Sequence, residues 1–398
     1  MILTETIKNK VLASMERILD RQRSILLKAN QRDLDVFKNS DQALYDRLIV
    51  NDKKIDQMIQ AVQEVRMQED PIDQIIDERI LENGLQIINK TAPFGTIMII
   101  YESRPDVTVE AAVLAFKANN KILLKGGKEA YYSNKKLVEF WHQALSESNL
   151  STDCIQFLEM DRIQTQAFLK DPDQQLDLVV PRGGERLIDF VKQHSKCAVL
   201  VSGRGNNFMY VSKDADWKMT LEVIVNAKTD KISACNALDK ILIDRRIEHY
   251  SEKLKELNTL LDSLEVEVIV DQSTSKILEA NDVVKGVEQW KEEFLALKCL
   301  IGSVSSLDNA IALINEHSGG HSAIIMSSNS EEVHQFMQEV DCAAVYQNAS
   351  SRFTDGGQMG VGAELAISTD KLHHRGPLGL KQLVTNKYYV FGNGQIRM

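Results

Sequence analysis

Proline and glycine are scarce, 6 and 20 among 398 residues, where average usage of about 5% and 7% would give roughly 20 and 28. No glycine precedes Gly84. A chain so sparing with turn formers is expected to place each one where the backbone must do what other residues cannot, so Gly and Pro should mark functional turns. Cysteine is sparse too. Cys154, Cys197, Cys235, Cys299 and Cys342 are odd in number, widely spaced and without a CxxC pair, which fits neither a disulfide framework nor a zinc ribbon, and no metal is expected. Long hydrophobic runs are missing, since nothing approaches the roughly 18 apolar residues of a membrane span. The opening MILTETIKNKVLASMERILDRQ carries charges every few residues instead of a signal-peptide core, so a reducing cytoplasm is the expected address. Positive charge is also in deficit: 47 Lys and Arg face 57 Asp and Glu, with no long basic block. This argues against a nucleic-acid partner and for a small molecule.

What is present is ordinary globular material, 43% hydrophobic and 26% charged, long enough for two or three packed units. Residues 1–70 read as two or three helices, with Val11, Met15, Ile18 and Leu19 spaced by three or four. In residues 72–92, Asn83-Gly84 stands between Ile80-Leu81 and Leu85-Ile87-Ile88, a strong signal for a β-hairpin. From Gly95, short apolar runs alternate with amphipathic stretches: Thr96–Tyr101, Val107–Lys117, Ile122–Lys125 and onward to Ala198–Val201. Such alternation predicts βαβ units and a parallel sheet. Ligands are then expected in the loops that follow the strands. A second alternating block runs from about Lys228 to Asn348, and the tail TNKYYVFGNGQIR suggests a final strand. That strand and the early hairpin are poor folds alone, and are expected to pair with each other or with a second subunit.

Two glycine loops fail the common phosphate-binding fingerprints. Gly126-Gly127-Lys128 has Ile122 and Glu129 where a Walker loop needs Gly and Ser or Thr, and Gly203–Phe208 ends in Phe where the dinucleotide motif needs Gly. KGGKEA reads either as a plain strand-to-helix turn or as a phosphate site in which backbone N–H groups, Lys125 and Lys128 hold a cofactor. Four cysteines lie in apolar or mixed runs and read as small buried hydrophobes. Cys235, in NAKTDKISACNALD, sits among small and polar residues and is the candidate nucleophile. The loop SSRFTDGGQMGVGAE is either a solvated connector or a site around Arg352, Thr354 and Asp355, while His321 reads as a capping or surface histidine or a site residue, and His373-His374 as a surface pair.

Through TAPFGTIMIIYESRPDVTVEAA, LLKGGKEAYYSN, DLVVPRGGERLIDFV, NAKTDKISACNALD, VYQNASSRFTDG and ELAISTDKLHHRGPLGLK, in that order along essentially the whole chain, the sequence resembles the γ-glutamyl phosphate reductases of the aldehyde dehydrogenase superfamily. The resemblance implies an α/β fold with a Rossmann-type parallel-sheet cofactor domain, an α/β catalytic domain and a small β oligomerisation element. The expected boundaries are 1–71 with 93–228 for the NADP domain, 229–355 for the catalytic domain, and 72–92 with 356–398 for the oligomerisation element. It implies NADPH-dependent reduction of L-glutamate 5-phosphate to the semialdehyde and phosphate, the second step of proline synthesis from glutamate. Cys235 would be the nucleophile, forming a thioester that accepts hydride, and the backbone around Cys235-Asn236 would serve the oxyanion.

The same resemblance assigns Lys125, Gly126, Gly127 and Lys128, with Arg182, Gly183 and Gly184 at a neighbouring strand end, to the cofactor, and Glu293 to its nicotinamide ribose. Arg104, Arg352 and Thr354 are candidates for the substrate carboxylate or phosphate. A homo-oligomer is expected, with a glutamate 5-kinase as a further partner to hand on the labile acyl phosphate. The chain departs from the pattern at LVSGRGNN, where hydrolytic relatives carry a glutamate base, and at Asn207-Phe208, where the reductases usually have Cys-His; Val201-Ser202 stands where they often have Glu-Thr. The rival readings are aldehyde oxidation, acyl-CoA reduction, and a non-catalytic interaction protein that kept the fold.

Overall fold

Val11, Leu12, Met15, Ile18 and Leu19 bury one stripe of the first helix while its charged residues stay outside, and the same periodicity continues through residue 67 in a computed structural model that describes residues 3–38, 42–201, 203–280 and 282–397. Four helices form here rather than two or three: α1 (Glu5–Arg21), α2 (Arg23–Val36), α3 (Gln42–Leu48) and α4 (Asp52–Met67). Asn51 caps α4 by accepting the Lys54 N–H at 2.9 Å. The hairpin follows as expected, with β1 (Ile75–Ile80) antiparallel to β2 (Gln86–Pro93). Gly84 supplies the left-handed turn at φ +84°.

Next come β3 (Thr96–Tyr101), α5 (Pro105–Lys117), β4 (Lys121–Lys125), α6 (Tyr131–Ser146), β5 (Ile155–Phe157), α7 (Arg162–Lys170), β6 (Leu178–Arg182), α8 (Glu185–His194) and β7 (Ala198–Val199). The five strands from β3 to β7 form one sheet, ordered β5-β4-β3-β6-β7, and every pair in it is parallel. Alternate side chains serve opposite faces. Ile97, Ile99, Ile122, Leu124 and Val180 pack into the core shared with the N-terminal helices, whereas Met98, Ile100, Leu123 and Val179 pack with Phe168 and Val191 of α7 and α8. Strand order reverses between β3 and β6, and crevices at such points receive ligands.

The second block contains β8 (Asn207–Val211), α9 (Trp217–Thr229), β9 (Leu238–Asp244), α10 (Tyr250–Ser263), β10 (Glu267–Val270), α11 (Gln272–Leu278), α12 (Glu288–Lys291), β11 (Lys298–Val304), α13 (Leu307–His317), β12 (Ser322–Met326), α14 (Ser330–Glu339) and β13 (Ala344–Gln347). Its parallel sheet is ordered β10-β11-β9-β8-β12-β13. A two-stranded ribbon, β14 (Ile367–Ser368) with β15 (Gly376–Pro377), follows. The last strand, β16 (Val384–Phe391), adds antiparallel to β2 and completes a three-stranded sheet with the hairpin.

The contacts divide the chain into two units. Unit 1 runs to Val201 and takes in Gly360–Ala366 and the chain from Leu378; unit 2 is the remainder. The division falls at Val201 and not at the expected residue 228, because β8 hydrogen-bonds between β9 and β12 and so carries α9 into the second sheet. The expected 356–398 segment is likewise divided: residues 367–377 belong to unit 2, while β16 and the hairpin belong to unit 1. Among the described residues no helix is long and apolar enough to cross a membrane.

Candidate active site

In unit 2 Cys235, Asn236 and Glu293 precede their strands, at the amino ends of β9 and β11, whereas Arg352 and Thr354 follow β13 and are hydrogen-bonded back to Asn236. Cys235 lies in the turn that leads into β9 and is half-buried. The turn is closed by backbone bonds from Ala234 N–H to the Lys231 carbonyl, 3.1 Å, and from Ala237 N–H to the Ala234 carbonyl, 3.0 Å. Gly205 passes so close beneath it that a β-carbon there would come within 3.0 Å of the Cys235 Cα, carbonyl carbon and oxygen. The glycine is therefore required by space.

Side-chain amides pin this turn to its neighbours. Asn207 Nδ2 donates to the carbonyls of Cys235 at 2.8 Å, Ala237 at 2.6 Å and Gly205 at 2.9 Å. Asn236 Nδ2 donates to the carbonyls of Arg352, 3.2 Å, and Thr354, 2.9 Å, and the Asn236 carbonyl accepts from Ser351 Oγ at 2.7 Å. Asn206 Nδ2 reaches the carbonyls of Trp290 and His317 at 2.7 and 2.8 Å. Phe208 stacks on Trp290.

Cys235, Asn236, Arg352 and Thr354 are thus brought together. Arg352 Nε donates to Asp230 at 3.1 Å, and its Nη1 is buried with no acceptor among the described residues, which leaves the guanidinium able to take an anion. Thr354 is different: it is fully buried, and its hydroxyl is shared with Ser322 Oγ and Tyr346 Oη, each at 2.8 Å. These bonds tie the loop to β12 and β13. His321 is buried in the same chain, Nδ1 against Ser322 Oγ at 2.8 Å, and burial pulls its pKa down to about 4. Its reading as an exposed or capping group is corrected accordingly.

Glu293 is held from both sides. The Phe294 N–H donates to Asp239 at 2.9 Å, and the preceding Glu292 carbonyl accepts from Lys240 Nζ at 2.7 Å. Asp239 also pairs with Lys228 at 3.0 Å, both buried. Lys240 lies over the Phe294 ring, 3.7 Å from its centre, and burial lowers its pKa to about 8. Cys299 and Cys342 are buried thiols pushed up to about 12 and about 11 by desolvation. Cys154 and Cys197 are half-buried, less enclosed than the sequence reading has them.

In unit 1 the candidates stand at the carboxyl ends of β3, β4 and β6, around the switch point. Gly126 and Gly127 leave no room for a β-carbon, against Asn134 and Glu129 respectively. Lys125 Nζ donates to the Gly126 carbonyl at 2.8 Å, its pKa lowered by desolvation, while Lys128 is exposed. The first turn of α6 is unavailable to a phosphate. Asp33 of α2 already accepts the N–H groups of Tyr132, 2.9 Å, and Ser133, 2.8 Å. Across the switch point Glu102 accepts the Gly184 N–H at 3.3 Å and lies where a Gly183 β-carbon would fall. Glu129 accepts both the N–H and Oγ of Ser103 at 2.8 Å.

A cavity of about 720 Å³ opens here, lined by Glu102, Ser103, Lys128 and Glu129 with Phe37 and Lys38. Arg104 pairs with Asp106 at 2.9 Å, and Asp106, although buried, is held below the usual carboxylate range by Arg104 and Lys54. Arg182 is half-buried at the end of β6. Sequence reasoning passes over Gly205, Asn207, Ser351, Asp239, Lys240 and Glu102. The one local signal was the Gly-Asn-Asn triplet directly before an apolar run. Ser202, in the loop LVSGRGNN, lies outside the described residues, and no group of three His, Cys, Asp or Glu able to hold a metal occurs among those described.

No protein-family model matches the chain. Among curated relatives, the γ-glutamyl phosphate reductase of Thermotoga sp. strain RQ2 is 41% identical over 394 residues, 98% of this chain and 94% of that protein. The enzyme of that name from Persephonella marina is 40% identical over 405 residues, covering 99% and 90%. The crystal structure of the Thermotoga maritima γ-glutamyl phosphate reductase superposes with a TM-score of 0.94 at 40% identity, covering 100% of this chain and 95% of that one. An acetylating aldehyde dehydrogenase from Geobacillus thermoglucosidasius, 15% identical, shares the fold with a TM-score of 0.70, covering 100% and 94%. Identity of this order, sustained over both units, makes the chain a member of the γ-glutamyl phosphate reductase family.

Proposed function

We propose that the protein reduces L-glutamate 5-phosphate to L-glutamate 5-semialdehyde and phosphate with NADPH, the second step of proline synthesis from glutamate. Family membership supports the reaction. The observation that carries the mechanism is the half-buried Cys235, presented by a turn whose carbonyls are tied down on every side. The Cys235 thiolate attacks the acyl carbon, the carbon–oxygen bond to phosphate breaks, and phosphate leaves with that electron pair. NADPH, when bound, supplies the hydride that converts the resulting thioester to a hemithioacetal. Collapse of that adduct returns the sulfur to Cys235 as a thiolate and releases the aldehyde.

The groups of unit 1 fit the phosphates of a dinucleotide. Gly126, Gly127 and Gly183 let Asn134, Glu129 and Glu102 close in on the strand ends at the switch point, Gly184 faces open space, and Lys128 and Arg182 supply charge, with Lys125 behind. These contacts would use loop amides and side chains, since Asp33 occupies the first turn of α6. Glu293, fixed through Asp239 and Lys240, is our assignment for the nicotinamide ribose. Arg352, whose buried Nη1 has no acceptor among the described residues, and Arg104 are our assignments for the substrate anions.

The loop Gly203–Asn207 carries no carboxylate to activate water, which disfavours hydrolysis, and family membership favours phosphate over coenzyme A as the acyl acceptor. We also assign the hairpin and β16 to contact with a second copy, because Ile75, Ile80, Val390 and Phe391 are all exposed on that small sheet. A cytoplasmic address and exchange of the labile acyl phosphate with a kinase belong to the same reading. The deciding assay runs in reverse, following NADP reduction by glutamate semialdehyde with phosphate, arsenate-free water or coenzyme A as acceptor. Cys235→Ala is expected to lower the phosphate-dependent rate by at least about 10³-fold. Full activity in that variant, or equal turnover with coenzyme A, would overturn the reading.

A further inference from the structure

Asn207 occupies the first position of β8, is wholly buried, and turns its Nδ2 toward three carbonyls, those of Gly205, Cys235 and Ala237, at 2.6–2.9 Å. Two N–H bonds serve three acceptors, so one is shared. The amide cannot be reversed, because Oδ1 would then face three carbonyl oxygens. A trans peptide is planar, with its N–H directed opposite to its C=O. Fixing the Cys235 carbonyl on Asn207 therefore aims the N–H of the same peptide, that of Asn236, away from Asn207.

The peptide is held from the far side as well. The Asn236 side chain is anchored on the Arg352 and Thr354 carbonyls, and the Asn236 carbonyl on Ser351. Gly205 packs directly against the Cys235 backbone, so the peptide has no free space in which to rotate. We infer that Asn207 is a positioning residue that presets the Cys235–Asn236 peptide, directing the Asn236 N–H to the oxygen that becomes negative when the Cys235 sulfur adds to the acyl carbon. The inference rests on Cys235 being the nucleophile. It gives the Gly203–Phe208 segment a role in the reaction that its sequence does not disclose, with Asn207 acting through the main chain and never touching substrate.

Two reactions of one thiol separate this role from a merely structural one. Acyl transfer needs the oxyanion stabilised, whereas displacement of iodide from iodoacetamide by the same sulfur does not. In Asn207→Ala, kcat for phosphate-dependent NADP reduction is expected to fall about 10²-fold. The rate of Cys235 alkylation, read by peptide mass mapping, and the KM for NADP should each stay within about twofold of wild type. Asn207→Ser, which keeps one donor, should regain about tenfold in kcat; if the alanine variant does not fold, the serine variant carries the same comparison. A kcat within about threefold of wild type in the folded variants would overturn the inference. So would alkylation falling in parallel with kcat, which would mean that Asn207 only holds the loop together. Cys235→Ala is assayed alongside: activity surviving there would remove the nucleophile assignment itself, independently of what Asn207 does.

Discussion

Gly205 is the residue at which sequence and chemistry meet most tightly, since a methyl group there would collide with the main chain of Cys235. Gly205→Ala must push the nucleophile's turn outward. It should cost about 1–3 kcal/mol of stability in unit 2 and lower kcat at least about tenfold, measured by urea unfolding and the reverse assay. His321 gives a pH signature. Its imidazole stays neutral in the fold, pKa about 4, while in the unfolded chain it takes a proton near pH 6.5. Its contribution is therefore complete above pH 6.5 and is lost as pH falls toward 4, amounting to about 3 kcal/mol over the interval. The stability difference between wild type and His321→Gln should shrink steadily between those limits; a constant difference would refute the assignment. Cys235 is legible in sequence because it sits among small and polar residues, in a segment that carries the family resemblance. Asn207 is not, because its partners at 205, 235 and 237 become neighbours only when β8 and β9 pair. For Thr354 sequence shows a hydroxyl but not its hydrogen bonds to Ser322 and Tyr346, which only the packing of β12 and β13 brings within reach.

Helix α6 has Ala130 at its N-cap, which offers no capping side chain of its own. Asp33, a hundred residues earlier, supplies the cap by accepting from two backbone N–H groups and from Ser133 Oγ at 2.6 Å. Asp33→Ala is expected to destabilise unit 1 by about 1–2 kcal/mol and to loosen the KGGKEA turn, weakening NADP binding without changing Cys235 alkylation. Calorimetric titration and thermal unfolding would test both parts. Local chemistry made some elements readable: Asn83-Gly84 announces the hairpin, and alternating runs announce the parallel sheets. Sheet membership was not readable. The run Asn207–Val211 looks like any buried strand, and only its pairing with β9 and β12 assigns it to unit 2. The placement of Cys235, Asn236 and Glu293 before their strands was equally hidden, because the rule for parallel sheets points to the opposite ends.

Each unit has apolar cores on both faces of its sheet, which is what a chain with two alternating blocks must build. The small sheet of β1, β2 and β16 lacks such cover, with Ile80 at 73% and Val390 at 56% exposure. The double variant Ile80→Asp, Val390→Asp is expected to shift the protein to a smaller species in light scattering while leaving its circular dichroism intact. A wild-type protein that is monomeric at about 10 μM would contradict the assigned contact. That sheet also sets a clock on biogenesis. Its middle strand, β2, is made about 290 residues ahead of its partner β16, with Val384 meeting Pro93. At about 5–20 residues per second, β2 waits on the order of 15–60 seconds on the ribosome with one edge unpaired. A chain arrested before β16 would thus carry both parallel sheets and an open, sticky edge, a species that chaperones and proteases would be the first to meet.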